Sequence, residues 1–247
     1  MSEPDRAPEG VVRVRARNPS PLSLDGTNSY VVEGWVVDPG PALEEHLAAV
    51  ELAAGERGVE GIVLTHDHPD HSEGAPALAE RAGGLAVSRP SDGEEVGPFR
   101  AIATPGHSRD HVCLLWGRVC FTGDTVLGAG SVMVGSDGGS MADYMDSLQR
   151  LRQLDLEVAC PGHGPFVWDP LTRIDEYLAH RRERERLVLE AIDGGARTRE
   201  EVLERAYADT DIGAHPMLRE AARLTLEAHL VKLIDEGRVP PGWPDSA

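Results

Sequence analysis

The sequence contains a single lysine, fewer basic than acidic residues, and few aromatic residues. Lys232 is the only lysine, and 24 basic residues stand against 42 acidic ones, so that the formal net charge is −18. A chain this acidic is poorly suited to broad polyanion binding, because affinity for phosphates needs a neutralising basic face. Aromatic residues make up only 4% of the chain. Stacking platforms for single-stranded nucleic acid are therefore scarce as well.

Cysteines and long apolar runs are also scarce. Cys113, Cys120 and Cys160 are odd in number, lack metal-binding spacing and stand in apolar contexts, so we expect them to be buried and reduced. The amino terminus lacks a cationic segment followed by an apolar run. No apolar stretch approaches the roughly 20 residues that span a bilayer. These absences predict a cytoplasmic chain without a membrane segment.

The 247 residues suit a loop-rich globular enzyme, with 40% apolar residues, 27 glycines and 18 prolines. Short apolar segments come first as a meander and then alternate with helical segments, which predicts an α/β fold with helices on the sheet faces. After residue 170 the segments become long, helical and rich in charge. We therefore predict a catalytic domain over residues 11–170 and a small helical domain over residues 171–247.

The strongest functional signal is the segment 65–71, with the sequence THDHPDH, which directly follows an apolar segment at 62–64. The apolar segment predicts a buried strand, and loops at strand ends are where α/β proteins place ligands. Three imidazoles and one carboxylate lie within six residues, and neutral imidazole is a usual ligand of Zn²⁺. These four side chains would crowd one tetrahedral ion, which indicates two ions. They belong to His66, His68, Asp70 and His71.

Three more candidates follow other predicted strands, namely His107, Asp124 and His163. Each has glycine beside it, and glycine allows the close backbone approach and unusual dihedral angles of a ligand turn. Alone, each would be an ordinary turn residue about as often as a ligand. Together with the first segment they form a specific pattern. The predicted metal ligands are His66, His68, Asp70, His71, His107, Asp124 and His163.

This ordered set resembles the metallo-β-lactamase superfamily, and the resemblance covers about residues 11–170. Segments 26–30 and 37–40 also look like the first strands of that family. The resemblance implies an αββα sandwich with two metal ions at one edge of its sheets. For the first metal it implies His66, His68 and His107. For the second metal it implies Asp70, His71 and His163, with Asp124 bridging both.

Within the superfamily, segments 123–128, 143–148 and 161–165 resemble the beta-lactamase-like protein 2 group, in the glyoxalase II-like branch. That group has a winged-helix-like C-terminal domain, which the resemblance implies for residues 171–247. Its members include a single-strand-specific endoribonuclease and carrier-protein thioesterases. Asp124 stands where common β-lactamases have cysteine, which disfavours antibiotic hydrolysis. His68 stands where di-iron flavoproteins have glutamate, which favours zinc.

We therefore expect a hydrolase with two Zn²⁺ per chain and a hydroxide that bridges them, since coordination lowers the pKa of water toward about 7. Asp124 would orient the metals, and Asp70 would move the proton. Asp67 would either support a ligating imidazole or be a solvated loop carboxylate. A small-molecule or carrier-bound acyl thioester or ester is the favoured substrate. Single-stranded RNA stays open as an alternative. A non-catalytic regulator is disfavoured, because a binding module does not need an open dinuclear site.

Several neighbouring features have two interpretations each. Tyr144 and Asp146 are expected near the pocket rim, either as substrate contacts or as structural residues. The glycine-rich loop 128–139 either covers the site or serves as a linker. The arginines of segment 181–186 alternate with glutamates, and we expect them to form a solvated helix face. The C-terminal histidines lack glycine-flanked turns and are not expected to bind metal.

Overall fold

The computed structural model describes residues 6–135 and 138–244. The first of its two sheets has five strands in chain order. They are β1 (Val12–Arg15), β2 (Asn28–Val32), β3 (Trp35–Val37), β4 (Gly61–Val63) and β5 (Val87–Ser88). The first three strands are antiparallel neighbours, and β4 and β5 extend the sheet in parallel. A hairpin joins β2 and β3, and it turns at Glu33 and Gly34, which both have positive φ.

The second sheet also has five strands, and it is also mixed. Its members are β6 (Glu95–Val96), β7 (Phe99–Ala103), β8 (Val112–Trp116), β9 (Val119–Gly123) and β10 (Val158–Pro161). The order across the sheet is β10-β9-β8-β7-β6, with β10 parallel to β9 and the other neighbours antiparallel. The three cysteines are buried here without disulfides, as predicted.

Helices follow four of the ten described strands, namely β3, β4, β9 and β10. The helices are α1 (Glu44–Ala53), α2 (Pro69–Ser72), α3 (Ala75–Arg81), α4 (Met141–Arg152), α5 (Pro170–Asp193), α6 (Arg199–Ala206) and α7 (Pro216–Asp235). A capping box starts α6, because Thr198 and Glu201 each accept a backbone N–H of the other. None of the described helices combines the length and the apolar character needed to cross a membrane.

Buried apolar side chains join the layers. In the middle layer, Val63 of β4 shares a cluster with Leu114 of β8 and Phe121 of β9, so the two sheets pack face to face. Outside the first sheet, Ile62 packs in a cluster with α1 and α3. Outside the second sheet, Cys113 packs in a cluster with α4 and α5. The resulting order of helices, sheet, sheet and helices is the predicted αββα arrangement.

The residues after 169 form three helices that pack on one another and on α4. The second half of α5 shares a buried cluster with α6 and α7, which includes Val188 and Leu226. Ile174 of α5 and Ala228 of α7 belong instead to the cluster beneath the second sheet. The division into two domains near residue 170 stays a prediction. No strand follows α7 in the described residues up to 244, so the winged-helix form is not confirmed.

The arginines of segment 181–186 do not all form a solvated face, so that expectation was correct for two of them and wrong for the other two. Arg181 and Arg184 are only 2% and 3% exposed, whereas Arg182 and Arg186 are exposed. Helical periodicity explains the difference, because positions three and four residues apart share one face of a helix. The inward stripe of α5 consists of Ile174, Tyr177, Arg181, Arg184 and Val188. Half of the basic cluster therefore points into the protein.

The two sheets are tied together at the edge where β4, β7, β9 and β10 end. The Val112 N–H donates to the Thr65 carbonyl at 2.8 Å, which joins β8 to the loop after β4. The Asn28 N–H donates to the Gly162 carbonyl at 2.7 Å, which joins β2 to the loop after β10. These hydrogen bonds bring loops from separate sheets to one place.

Gly106 sets the turn after β7. Its φ is +139°, and a Cβ at this position would lie 2.3 Å from the Cα of Tyr144 on α4. Only a residue without a side chain fits so close to another backbone. The close approach of this turn to α4 fixes the direction in which the next residue, His107, projects.

Replacement of Gly106 with alanine should therefore lower the free energy of unfolding by at least about 2 kcal/mol, through overpacking against α4. Urea unfolding followed by circular dichroism measures the change. Gly213 is the matched control, because a Cβ there meets no atom within 4 Å. Gly213→Ala should stay within about 0.5 kcal/mol of the parent. Unchanged stability of Gly106→Ala would contradict the close approach.

Candidate metal centre

The structure brings all seven predicted ligands together at the shared edge of the sheets. They form two groups, and within each group the potential ligand atoms lie within 4.8 Å of one another. The first group consists of His66, His68, His107 and Asp124. The second group consists of Asp70, His71 and His163. Among the described residues, neither group includes a residue from α5, α6 or α7.

Ring nitrogens face one another in the first group. The Nδ1 atom of His68 lies 3.0 Å from Nε2 of His66 and 2.9 Å from Nε2 of His107. The carboxylate of Asp124 is close by, with Oδ2 3.7 Å from the same Nε2 of His107. Three imidazole nitrogens and a carboxylate oxygen thus converge on one small volume.

The second group has the same character and shares Asp124 with the first. Nε2 of His163 lies 3.2 Å from Oδ2 of Asp70 and 3.4 Å from Nε2 of His71. Oδ1 of Asp124 is 3.4 Å from Nε2 of His71, and its Oδ2 is 3.4 Å from Nε2 of His163. Asp124 therefore lies between the two groups and contacts both.

Hydrogen bonds on the far side of the rings set which nitrogen faces the centre. Nδ1 of His107 donates to the Met133 carbonyl at 2.7 Å, and a carbonyl can only accept. Nδ1 of His71 donates to Oδ2 of Asp38 at 2.9 Å. In both residues the proton on Nδ1 leaves the lone pair of Nε2 directed at the centre.

The rings of His66 and His163 are held in a similar way. Nδ1 of His66 lies 3.0 Å from Oγ1 of Thr65, whose own hydroxyl donates to Asp38 at 2.7 Å. The Thr65 oxygen therefore accepts from His66. Nδ1 of His163 faces the Gly26 carbonyl at the longer distance of 3.5 Å. Four imidazoles thus present Nε2 to the centre.

This arrangement fits cations. Ring nitrogens that face one another at 2.9 to 3.4 Å are favourable only when a proton or a metal cation lies between them. Oδ1 of Asp124 is buried and has no hydrogen-bond partner in the described part of the chain. Imidazole nitrogens and carboxylate oxygens are the donor set of zinc and related transition metals. The residues present therefore fit two metal ions.

The pKa shifts of the second group also indicate a site for positive charge. Burial lowers the pKa of His163, but the carboxylates of Asp124 and Asp70 outweigh burial and raise that pKa to about 9. Burial raises the pKa of Asp70, but the hydrogen bond to His163 and the charge of His71 outweigh it and lower that pKa to about 2. In contrast, burial and the charge of His71 hold the pKa of His66 well below its usual value. The facing carboxylates therefore require positive charge, which a proton or a metal ion provides.

Asp38 is a supporting residue to which the sequence analysis assigned no role. It follows β3 in a left-handed conformation, with φ of 50°. Its Oδ1 accepts the Thr65 N–H at 2.7 Å, and its Oδ2 accepts both the Thr65 hydroxyl and Nδ1 of His71. Because these bonds engage both oxygens, Asp38 orients the ring of His71. An uncommon backbone conformation held by such a network is typical of functional sites.

Asp67 does not support a ligating imidazole, and the interpretation of it as a solvated loop carboxylate is the correct one. It is exposed, and its carboxylate pairs with Nε of Arg89 at 2.7 Å. Asp67 lies between His66 and His68 in an extended segment, where successive side chains point to opposite sides. When the two histidines point inward, the aspartate between them points outward.

His111 is a second supporting residue that the sequence analysis missed. It is 1% exposed, and its Nε2 accepts the N–H of Asp124 at 3.0 Å. Its Nδ1 lies near the hydroxyls of Thr104 and Thr125, at 3.0 and 3.1 Å. Burial holds the pKa of His111 well below its usual value, so the ring is neutral. His111 lacks the flanking glycines that marked the ligand turns, and only the fold reveals its contact with Asp124.

The two candidate rim residues on α4 do not line the site. Tyr144 is fully buried, and its hydroxyl donates to the Thr125 carbonyl at 2.8 Å, so its role is structural. Asp146 is exposed and does not border the cavity. The structural interpretation of Tyr144 is thus the correct one.

A cavity of about 550 Å³ opens onto the centre. Loop residues 18–24 form part of its wall, and α5, the segment after α6 and α7 form another part. Residues 129–133 complete the wall, so this part of the glycine-rich loop borders the site. Residues 136 and 137 of that loop lie outside the described residues. His68, Asp70, His107, Asp124 and His163 lie at the cavity floor.

Known proteins are similar to this chain in sequence. The sequence profile of the Metallo-beta-lactamase superfamily matches residues 22–99 and 85–163. A Beta-lactamase-like protein 2 homolog of Caenorhabditis elegans is 32% identical over 267 aligned positions, which cover 95% of this chain and 88% of that protein. An atrochrysone carboxyl ACP thioesterase of Aspergillus fumigatus is 32% identical over 244 positions, which cover 84% of this chain and 76% of that protein.

Two solved structures are similar as well. A metallo-beta-lactamase family protein of Thermus thermophilus has a TM-score of 0.73 and 25% identity, with 95% of this chain and 96% of that chain covered. The C-terminal helices therefore fall within the shared fold. A second protein, solved in a di-iron-bound form, has a TM-score of 0.51 and 29% identity, with 65% of this chain and 96% of that chain covered.

Asp38→Asn should weaken metal binding about 10- to 100-fold, because the amide nitrogen cannot accept the proton of His71. Titration against a chromophoric chelator measures the affinity. Asp67→Asn is the control, since this exposed carboxylate pairs with Arg89 instead, and its affinity should match the parent. Equal affinity in Asp38→Asn and the parent would remove the support role of Asp38.

Proposed function

We propose that this chain, which belongs to the metallo-beta-lactamase superfamily and is a hydrolase, hydrolyses acyl thioesters with two zinc ions. One observation carries the proposal. Four imidazole Nε2 atoms and the Asp124 carboxylate converge at the floor of a cavity whose walls are mostly apolar. A metal-dependent attack on a carbonyl needs both parts, the cation site and a slot for the acyl chain.

Asp124 is proposed as the residue shared by both ions. Its two oxygens contact histidines of both groups, which supports the bridging role. The proposed ligands of the first ion are His66, His68 and His107. The proposed ligands of the second ion are Asp70, His71 and His163.

Zinc is the proposed metal, because five imidazoles in a set of seven ligands suit zinc well. Imidazole also suits iron, and one similar protein was solved in a di-iron-bound form. Iron is therefore the alternative metal. When bound, the two ions polarise the carbonyl oxygen of the substrate and lower the pKa of water so that a nucleophile exists near neutral pH.

Asp70 is the proposed proton carrier. Its side chain is 36% exposed at the cavity floor, compared with 13% for Asp124, so it can reach both the reacting groups and solvent. Its Oδ2 also accepts the hydroxyl of Thr27 at 3.2 Å. A thiol leaving group has a pKa of about 8.5 and departs as a thiolate. Thioester cleavage therefore demands less proton delivery than cleavage of an amide.

The cavity wall favours an acyl chain over RNA. Leu24, Val132, Met133 and Met217 provide apolar surface, and Tyr207 is the one large aromatic side chain among the described residues of the wall. Single-stranded RNA binds through stacked aromatic rings and a basic groove, and the net charge of −18 opposes it further. The similarity to an ACP thioesterase supports a carrier-bound acyl group as one form of the substrate.

Asp124→Asn should lower thioester hydrolysis by at least about 100-fold, because it removes the shared negative charge and nearly preserves shape. Steady-state kinetics measure the loss, and circular dichroism verifies the fold. Asp146→Asn is the control, because Asp146 is an exposed carboxylate that does not border the cavity. It should keep the parent rate. Parent-like turnover in Asp124→Asn would exclude the bridging role.

A substrate panel separates the two candidate reactions. In zinc-replete buffer of low salt, the chain should hydrolyse acyl thioesters and leave a single-stranded RNA oligomer intact. Low salt gives RNA its best opportunity, since phosphate contacts weaken steeply as salt rises. Zinc-dependent cleavage of the RNA, with every thioester untouched, would replace the thioesterase proposal with a ribonuclease.

A further inference from the structure

Arg181 is a buried cation on the wall of the same cavity. It is 2% exposed, and one of its amino groups donates to the Val132 carbonyl at 2.5 Å. Its guanidinium carbon lies 5.3 Å from the centre of the Tyr144 ring. Its Nε is buried and has no hydrogen-bond partner in the described part of the chain. The Nε–H donor of Arg181 is therefore left without a described partner at a position that water does not easily reach.

No described carboxylate forms an ion pair with Arg181. The nearby Arg184 differs, because it pairs with Asp209 at 2.9 Å. Glu185, the other buried charge of α5, pairs with Lys232 at 2.8 Å. Burial, together with the charges of Arg181 and Arg184, lowers the pKa of His180 to about 4, so that ring adds no charge.

Buried charges in proteins are normally paired, because desolvation of an isolated ion is costly. Arg181 is a buried arginine without a carboxylate partner, and it borders an open cavity. The missing counter-charge is therefore expected to come from a ligand that enters the cavity. A guanidinium presents a planar fork of N–H donors, and this shape matches a carboxylate.

Arg181 is also linked to the proposed metal centre through two adjacent backbone carbonyls. Its partner Val132 precedes Met133, whose carbonyl accepts Nδ1 of His107 at 2.7 Å. Two consecutive carbonyls therefore hold a proposed metal ligand and the buried guanidinium. A ligand that spans the cavity can contact the metals with one end and Arg181 with the other.

We propose that Arg181 binds a carboxylate at the far end of the acyl group, so that the substrate is the thioester of a dicarboxylic acid. This inference rests on the proposed thioesterase function. The apolar side chains of Met133, Leu218 and Ala222 line the same cavity and suit the methylene groups between the two ends. Arg181 is then the residue that determines acyl specificity.

A phosphate on the thiol arm is the other anion that a guanidinium would bind. The burial of Arg181 favours the acyl end, because the thiol arm of a carrier has to remain connected to solvent. N-acetylcysteamine thioesters carry no phosphate and so separate the two sources. The panel pairs succinyl, glutaryl and adipoyl thioesters of N-acetylcysteamine with monoacyl thioesters of the same chain length.

The parent should prefer at least one diacid thioester over its matched monoacyl thioester in kcat/KM. Arg181→Met should remove about tenfold or more of that preference and keep monoacyl hydrolysis, since one charge-assisted hydrogen bond is worth about that factor. Methionine in place of a buried arginine is often tolerated by the fold. Arg181→Lys should restore part of the preference. Arg182→Met is the control, because Arg182 is the exposed neighbour on the same helix, and it should keep the full preference.

Calorimetric binding of the free dicarboxylate to the zinc-loaded protein gives a second readout. Binding should weaken in Arg181→Met and match the parent in Arg182→Met. If monoacyl thioesters are hydrolysed and Arg181→Met changes neither preference nor binding, the inference is overturned and the thioesterase function stands. If Arg181→Met lowers kcat/KM only for coenzyme A thioesters, whatever their acyl group, Arg181 binds a phosphate of the thiol arm and the inference is overturned. Arg181-dependent dicarboxylate binding without any thioester hydrolysis would support the anion site and overturn the thioesterase function.

Discussion

Repulsion among buried lone pairs and carboxylates is the constraint on which the rest of the structure depends. Nε2 atoms and carboxylate oxygens face one another at 2.9 to 3.7 Å around Asp124. Such a cluster needs a proton or a metal cation among its atoms, and hydrogen bonds around it turn four Nε2 atoms inward. Thr65, Asp38 and His111 use their hydrogen bonds to hold these orientations. The fold thus holds a donor set that needs cations.

Two sheets supply this geometry because their strand ends meet at one edge. The loops after β4, β7, β9 and β10 each contribute side chains to the two groups, and backbone hydrogen bonds join loops from both sheets. The C-terminal helices contribute no proposed ligand. Instead they form the cavity wall, where the buried Arg181 supplies a charge that the ligand is proposed to complement.

The convergence of the seven candidate residues was predictable because each lies in or beside a short turn after an apolar strand, and several have flanking glycines. Asp38 bonds to partners that are 27 and 33 residues away, and His111 bonds to a partner that is 13 residues away. No local sequence pattern encodes these contacts. Arg181 was misjudged because its charge suggested solvent, whereas tertiary packing decides which helix face is buried.

Anomalous X-ray diffraction from crystals of the zinc-replete protein tests the central claim most directly. Data collected on both sides of the zinc absorption edge should give two zinc peaks per chain, with Asp124 in contact with both. The first peak should be surrounded by His66, His68 and His107. The second should be surrounded by Asp70, His71 and His163. A single peak, or no anomalous peak among these residues, would contradict a dinuclear zinc centre.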